Sequence, residues 1–175
     1  MKWPVTSLAQ SPEDLLDAYR QALRHVAATV YAITTGVPGD RHGILATAVS
    51  SLSFDPPSLL VCINRSASLH EPLVEAPVFA VNVLGQGNRD IAARFTDARG
   101  EERFHGADWQ QHCDVPVLSN AQSNFVCRKV DTHNFGTHTI FIGELIAASH
   151  RADAPPLTYF DRHYIDISEA PELNG

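Results

Sequence analysis

The sequence lacks long apolar runs, basic runs and a cysteine framework, and each absence excludes a class of protein. No apolar stretch among the 175 residues approaches the ~20 residues of a membrane span. The net charge is −7 and the basic residues form no run, which argues against a surface for nucleic acid or for an anionic membrane. The N-terminal residues contain no apolar signal core, so we expect a cytoplasmic protein. Three cysteines, an odd number, do not suggest a set of disulfides.

Several fingerprints of catalysis are also missing from the sequence. It contains no GxGxxG, so there is no sign of a Rossmann-type nicotinamide site, and no GxSxG of a serine hydrolase. It also contains no CxxC and no HExxH. Nine histidines are present, and His133 and His138 stand five apart, but no third ligand follows at a recognisable spacing. We therefore expect no metal site.

The stretch 42–68 has the most informative pattern in the chain. Residues 44–53 are rich in β-branched, small and hydroxyl residues, and we expect a strand there. Asp55-Pro56-Pro57 cannot continue that strand, because proline has no N–H to donate and restrains the residue before it. Residues 58–63 then form a continuous apolar run, which is typical of a strand buried on both faces.

Small and hydroxyl side chains occupy the first of these strands, where larger aliphatic residues would pack a core better. Small residues let a planar ligand approach the backbone, and hydroxyl groups offer it hydrogen bonds. The second strand ends in the segment 64–68 (NRSAS), a cation among short donors just before a predicted helix, which would suit a phosphate. A polar hairpin with an N-cap serine explains the same residues, so both interpretations stay open.

The N-terminal part of the chain predicts one main helix. We expect residues 1–10 to be a loose leader. Ser11-Pro12-Glu13-Asp14 has the features of a helix start, namely a serine cap, proline at the first position and acids in the first turn. Apolar residues then recur at helical spacing, so we predict a helix to about His25 with one face on the core.

The remainder of the chain predicts strands with few helices between them. Asn82 lies in a buried strand, and its amide must be hydrogen-bonded, either to neighbouring backbone or to a ligand. Phe104 and Trp109 anchor the charged segment 99–113. We count one main helix, two short helices and seven or eight strands, which favours an antiparallel barrel in one domain, 1–175. The predicted strands after the stretch 42–68 are 78–83, 123–132, 138–148 and two short ones within 157–167.

Four segments of the chain, in order, resemble the short-chain flavin reductases, a family with a split β-barrel. Within that family the chain is most similar to the branch that contains the reductase component of 4-hydroxyphenylacetate 3-monooxygenase. One such motif would be weak evidence, whereas four in register are specific. The segments are GILATAVSSLSFDPPSLLVCIN at 43–64, FAVNVL at 79–84, GTHTIFIGEL at 136–145 and LTYFDRHY at 157–164.

The resemblance implies a fold, an activity and partners. The implied fold is mainly β, a split antiparallel β-barrel of the flavin-reductase/FMN-binding type with one N-terminal helix and short additional helices. The implied activity is that of an NAD(P)H:flavin oxidoreductase, with FMN or FAD as the flavin and NADH or NADPH as co-substrate. The implied partners are a separate oxygenase component and a second copy of the chain, with the flavin near the interface between the copies.

The resemblance also assigns candidate residues for the flavin. Many relatives have threonine where this chain has Leu45, so only backbone contacts are expected there. The residues implied for the ring and ribityl region are Leu45, Ala46, Thr47, Ala48, Ser50 and Ser51, and those implied for the phosphate are Asn64, Arg65, Ser66 and Ser68. Asn82 and Phe104 are further candidates.

Three more residues are implied for the nicotinamide. His138 matches the histidine of the family's glycine-x-histidine motif, although a strand-edge histidine bonded to backbone explains it too. Tyr159 and Phe160 could line the nicotinamide pocket or could simply pack. Two other functions remain as alternatives, a flavin-binding module without turnover and, against the matched motifs, an enzyme similar to pyridoxamine-phosphate oxidase.

Overall fold

The computed structural model describes residues 11–167, so the prediction of a loose leader at 1–10 lies outside the described residues. No helix in this range is long and apolar enough to cross a membrane. The helices are α1 Pro12–Arg24, α2 His70–Glu75 and α3 Arg89–Asp97, with short 3-10 turns at Gln86–Asn88 and Gly100–Phe104. The strands are β1 Ala28–Thr29, β2 Tyr31–Thr35, β3 His42–Ala46, β4 Val49–Phe54, β5 Pro57–Asn64, β6 Val78–Val83, β7 Trp109–His112, β8 Val115–Leu118, β9 Ser123–Phe135, β10 His138–His150, β11 Thr158–Phe160 and β12 His163–Ile165.

Seven strands form one sheet in the order β3-β2-β6-β9-β10-β5-β4, and every pairing in it is antiparallel. Its two edge strands, β3 and β4, follow one another in the chain and are separated only by Thr47 and Ala48. Because two residues span only a few ångströms, the sheet must curl until its edges nearly meet. The edges do not pair with each other, so the barrel stays split at this point. The predicted mainly β, antiparallel fold is confirmed.

The curled sheet encloses one apolar core and supports a second on its outer side. The interior core contains Phe79 and Phe141, which are fully buried with aliphatic residues of β2, β5 and β6. The outer core lies beneath α3, where Phe95 and Phe104 pack with ring centroids 5.5 Å apart. Trp109 stacks on Phe95 at 5.6 Å, so the predicted anchoring of segment 99–113 by its aromatic residues is confirmed.

The predicted single strand at 44–53 is wrong, because the chain changes partner within it. β3 pairs with β2, whereas β4 pairs with β5, and the change falls at Thr47 and Ala48. The predicted number of strands was also too low. The additional strands, β1, β7 and β8, have only two to four residues, too few for a pattern of alternation to show.

Helix α1 begins as predicted but does not pack as predicted. The Ser11 hydroxyl oxygen accepts a hydrogen bond of 3.1 Å from the Asp14 N–H, which caps the helix. None of the residues of α1 is buried, and Leu15, Tyr19 and Leu23 of its apolar face are 59%, 59% and 49% exposed. The expectation that this face lies on the core is therefore wrong for the single chain. The helix is held at its C-terminal end, where Arg24 pairs with Asp161 at 3.0 Å.

Gly143, in β10, tests how tightly the interior core is packed. A Cβ added there would lie 2.6 Å from the Cβ of Cys127 and 2.6 Å from the Cζ of Phe79. Because both neighbours are buried in the core, we expect Gly143→Ala to lower the free energy of unfolding by about 1–3 kcal/mol. Urea denaturation with linear extrapolation measures this change.

Gly87→Ala is the matched control, because a Cβ at Gly87 meets no atom within 4 Å. Equal unfolding free energies for the two variants would contradict the close approach of β10 to Phe79.

Candidate functional site

The break between β3 and β4 opens a cavity of about 470 Å³ at one mouth of the barrel. Leu45, Ala46, Thr47 and Ala48 line one wall, and no side chain among them is large except that of Leu45. The rest of the lining comes from β5, β10, β11 and β12, and the last three strands are distant from the break in the sequence. The cavity is therefore a product of how the sheet closes.

The wall at Thr47 and Ala48 offers backbone donors. Their carbonyl oxygens accept hydrogen bonds from Val49 N–H at 3.1 Å and Cys62 N–H at 2.9 Å. Within residues 11–167, no bond is found for the N–H groups of Thr47 and Ala48 themselves. Free N–H groups beside a cavity can bind the acceptor atoms of a ligand. This wall suits a planar heterocycle that carries carbonyl oxygens or ring nitrogens.

Strand register brings the two polar ends of the cavity together. His138 is the first residue of β10 and lies directly opposite Asn64, the last residue of β5. Both side chains line the cavity. The His138 ring is exposed, and its Nδ1 lies 2.9 Å from Thr137 Oγ1, which leaves Nε2 free of protein partners among the described residues. The ring can therefore meet a second molecule that enters from solvent.

The loop Asn64–Ser68 is ordered by its own side chains. Asn64 Oδ1 accepts hydrogen bonds of 2.9 Å from both the N–H and the hydroxyl of Ser66. Arg65 donates from its backbone N–H to Thr137 O at 2.9 Å and from Nη2 to Gly136 O at 2.7 Å. These bonds attach the loop to the turn before β10 and leave most of the exposed Arg65 guanidinium open to solvent.

Arg103 approaches the same loop, a contact that sequence reasoning missed. Its Nη1 donates to Ser68 Oγ at 3.2 Å and also to the carbonyl of Gly43. Ser68 accepts in the first of these bonds, so its own proton remains available for an anion. Burial, with a smaller contribution from Arg99, lowers the pKa of Arg103 from its ordinary value. No distinctive spacing in the charged segment 99–113 could have singled this arginine out.

Two tyrosines form the far side of the cavity. Tyr159 of β11 and Tyr164 of β12 are cross-strand partners, with ring centroids 5.6 Å apart. They flank a two-residue turn at Asp161 and Arg162, which have φ of 42° and 67°. Burial, and then the neighbouring Tyr159, raises the pKa of Tyr164. Sequence reasoning named Tyr159 and missed Tyr164, although the turn at 161–162 makes those two residues opposite one another.

Other predicted site residues lie elsewhere. Phe160 points away from the cavity, because successive strand residues face opposite sides, and it packs on His25 with ring centroids 6.0 Å apart. Ser50 and Ser51 follow the break and line a separate depression beside Phe54 and Leu145. Ser50, Ser51 and Phe160 are thus not among the residues that line the cavity at the break, and their contact with a flavin or a nicotinamide stays a prediction.

Asn82 and Phe104 are core residues. Asn82 is 0% exposed, and its Nδ2 donates to Ala32 O at 2.9 Å while its Oδ1 accepts from Leu118 N–H at 2.8 Å. Phe104 is 2% exposed within the outer core, and Arg41 lies over its ring at 4.7 Å. Neither residue lines the cavity, and their polar and apolar contacts are made inside the protein, so their contact with a ligand stays a prediction.

The described histidines and acids are dispersed. Within residues 11–167, no group of three or more His, Cys, Asp or Glu side chains is placed to hold a metal ion. His133 lies opposite Ile140, and His138 opposite Phe135, so the two histidines do not face one another across the β9–β10 pair.

Residues 23–168 match the family model described as Flavin reductase like domain. The chain belongs to this family. The reductase component of an FADH(2)-dependent resorcinol hydroxylase from a Rhizobium species is 40% identical over 91% of this chain and 92% of its own length. An FMN reductase (NADH), RutF, from Pseudomonas syringae is 40% identical over 88% of each chain. The resemblance expected from the four sequence segments is confirmed.

Solved structures of the family share the fold of this flavin reductase-like domain. The NADH:FAD oxidoreductase of Streptomyces globisporus, solved with NAD and FAD fragments, has a TM-score of 0.84 at 26% identity and covers 95% of this chain and 99% of its own. The flavin reductase component of a bacterial two-component tryptophan halogenase, BorF, has a TM-score of 0.78 at 26% identity over 86% of this chain and 96% of its own. The predicted split barrel is confirmed.

The three cysteines provide a chemical test of the cavity. Cys113 is exposed, Cys62 lines the cavity and Cys127 is buried in the core. Burial raises the pKa of Cys62 from its ordinary value and raises that of Cys127 to about 12. A raised pKa means less thiolate, the reactive form, so at about pH 8 we expect Cys113 to react with a disulfide reagent well before Cys62. We expect Cys127 to react only after unfolding.

Mass spectrometry of the partly labelled protein assigns the order. Cys113→Ser should remove the fast phase, and raising the pH should accelerate Cys62 in the native protein. Fast labelling of Cys127 in folded protein would contradict the described core.

Proposed function

We propose that this protein is an NAD(P)H:flavin oxidoreductase of the cytoplasm, which reduces FMN or FAD and releases the product to a separate oxygenase. The observation that carries the proposal is the meeting, at one cavity, of the small-residue wall at Thr47 and Ala48 with the loop Asn64–Ser68. Membership of the family supports it, as do relatives named as an FMN reductase (NADH) and as a hydroxylase reductase component.

The wall and the loop fit the two ends of a flavin nucleotide. The unbonded N–H groups of Thr47 and Ala48 can donate to the carbonyl oxygens and ring nitrogens of an isoalloxazine that lies against them. At the other end, Arg65 brings a guanidinium and Ser68 brings a free hydroxyl proton to the phosphate. Ser66 is less free, because Asn64 already accepts its hydroxyl proton. A bound flavin supplies the hydride-accepting chemistry.

The residues around His138 would receive the nicotinamide. The exposed His138 ring can hydrogen-bond a carboxamide or a phosphate, and it lines the same cavity as the Tyr159–Tyr164 pair. The tyrosine rings would shield the reacting faces from water. Hydride transfer requires the two rings about 3–3.5 Å apart, so the contribution of these residues is to position them. No protein group needs to accept or donate a proton in that transfer.

We infer a homodimer from the faces that the single chain leaves uncovered. The apolar face of α1 exposes Leu15, Tyr19 and Leu23, and Phe54 and Phe135 are 94% and 78% exposed. Large apolar side chains that a single chain leaves exposed are candidates for burial in a protein–protein interface. A second copy of the chain is the occupant that the family resemblance implies.

Flavin binding and NADH oxidation test the proposal together. We expect FMN or FAD to bind with micromolar affinity, which corresponds to about −8 kcal/mol, and to support steady-state NADH or NADPH oxidation. Riboflavin should bind more weakly than FMN, because it lacks the phosphate that Arg65 and Ser68 would contact. Fluorescence quenching gives the affinities, and absorbance at the reduced nicotinamide band gives turnover.

The absence of saturable flavin binding would overturn the proposal. Binding without nicotinamide oxidation would instead identify a flavin-binding module without turnover. Equal affinities for riboflavin and FMN would show that the phosphate does not contact the Asn64–Ser68 loop.

Replacing His138 separates nicotinamide handling from flavin binding. We expect His138→Ala to lower kcat/KM for NADH roughly ten- to a hundredfold, because one hydrogen bond to the dinucleotide is lost. The flavin Kd and the melting temperature should change little, since the His138 side chain is exposed.

His150→Ala is the matched control, an exposed histidine at the opposite end of β10. Unchanged NADH kinetics in folded His138→Ala protein would remove His138 from the active site. A lower melting temperature with full activity would make it a structural residue.

A further inference from the structure

A buried histidine outside the cavity has no place in the function proposed so far. His70, the first residue of α2, is 7% exposed. Its Nδ1 lies 3.1 Å from Glu71 Oε1, and its Nε2 lies 2.9 Å from Thr139 Oγ1. Thr139 in turn donates to Asn134 Oδ1 at 2.6 Å. This chain of hydrogen bonds runs from the surface at Glu71 to the β9–β10 strand pair.

The donor and acceptor atoms of these side chains fix the direction of the bonds that join Asn134, Thr139 and His70. Thr139 has one hydroxyl proton, and Asn134 accepts it. The Nε2 of His70 must therefore donate to the Thr139 oxygen. The Nδ1 lies at the outer end of the network, beside the exposed carboxylate of Glu71. A buried ring that lost the Thr139 hydroxyl would leave its Nε2 group unsatisfied.

The two ends of the His70–Thr139 bond belong to the two halves of the proposed site. On one side, His70 N–H donates to Ala67 O, and Ala67 N–H donates to Asn64 O, each at 2.9 Å, so α2 continues directly from the phosphate loop. On the other side, Thr139 is the residue after His138. Thr139 is 2% exposed and its position in β10 is fixed by pairing with Ile63.

The bond to His70 complements the contacts of Arg65 on the other side of the same turn. Arg65 holds the loop to Thr137 and Gly136, immediately before His138. His70 holds α2 to Thr139, immediately after it. The segment that carries His138 is therefore attached to the phosphate loop on both sides.

We propose that His70 is a positioning residue, which through Thr139 holds the loop Asn64–Ser68 against the start of β10 and so sets the placement of His138 relative to the flavin. The inference rests on the proposed function, since it concerns the relation of the flavin and nicotinamide halves of that site. His70 itself contacts neither ligand. Its effect on turnover passes through His138, because that side chain is the neighbour whose position the bond determines.

Two substitutions break the bond from opposite ends, and a third preserves it. Thr139→Val removes the hydroxyl while keeping the shape of the side chain, and His70→Gln removes the ring. Thr139→Ser keeps the hydroxyl. We expect Thr139→Val and His70→Gln each to lower kcat/KM for NADH about tenfold, and Thr139→Ser to retain the wild-type value, because displacement of a reacting partner by a fraction of an ångström is costly.

Thr34→Val is the matched control for lost stability. Thr34 is a buried threonine whose hydroxyl donates to Pro116 O at 2.6 Å, and it does not line the cavity. It should lower the melting temperature as Thr139→Val does and leave NADH kcat/KM unchanged. In a His138→Ala background, Thr139→Val should cause no further loss, since the two changes act on the same interaction.

Amide hydrogen exchange gives a readout that needs no turnover. The N–H groups of Arg65 and Ala67 bond to Thr137 O and Asn64 O. We expect NMR-detected exchange of both amides to accelerate at least tenfold in Thr139→Val and His70→Gln, and to stay at the wild-type rate in Thr139→Ser and Thr34→Val. Wild-type protein that fails to oxidise NADH with any flavin would refute the proposed function. The exchange rates would still test whether His70 holds the loop Asn64–Ser68 against the start of β10.

Unchanged exchange in Thr139→Val would overturn the positioning role. An equal fall of kcat/KM in Thr34→Val would overturn it too, as would additive losses in the double variant Thr139→Val with His138→Ala. Each result would show that His70 contributes only to overall stability.

Discussion

The break at Thr47 and Ala48 is the constraint on which the rest of this structure depends. It separates the two edge strands of a single seven-stranded sheet, so the sheet has to curl around the interior core to place its edges two residues apart. The same break leaves two backbone N–H groups without partners among the described residues, on a wall with little side-chain bulk. Closure of the barrel and formation of the cavity thus have one cause.

The other parts of the cavity arrive by strand pairing. Asn64 and His138 meet because β5 and β10 are in register, and a slip of one residue would turn one of them to the other face. The tyrosine pair reaches the cavity because β11 pairs with β1, and β1 is followed after one residue by β2 of the large sheet. The phosphate loop is attached to the turn before β10 by Arg65. Strand pairing within two sheets therefore sets the positions of the residues that line the cavity.

Several residues show why chemical type alone does not decide which residues line the cavity. Asn82 has the type expected at a ligand, yet backbone groups of Ala32 and Leu118 and the Thr34 hydroxyl already bond to its amide, and no local pattern reveals such partners. Tyr159 and Phe160 are both aromatic neighbours in β11, but their side chains face opposite sides of the strand. Arg103 is one of several arginines in a charged segment, and only its approach to Ser68 distinguishes it. The sequence predicted the apolar face of α1, but the described part of the chain buries none of its residues.

By itself, the sequence determined what depends on neighbours along the chain. These features include the capped start of α1 at Ser11, the end of a strand at Asp55-Pro56-Pro57, the buried strands, the small side chains before the break and the four segments that indicate the family. The tertiary structure alone decided which strands pair, where one strand becomes two, and which of the candidate residues share a cavity. The physical reason is that local spacing fixes the periodicity and the turns of a chain, whereas a hydrogen-bonded partner or a covering side chain is fixed only when the sheet closes.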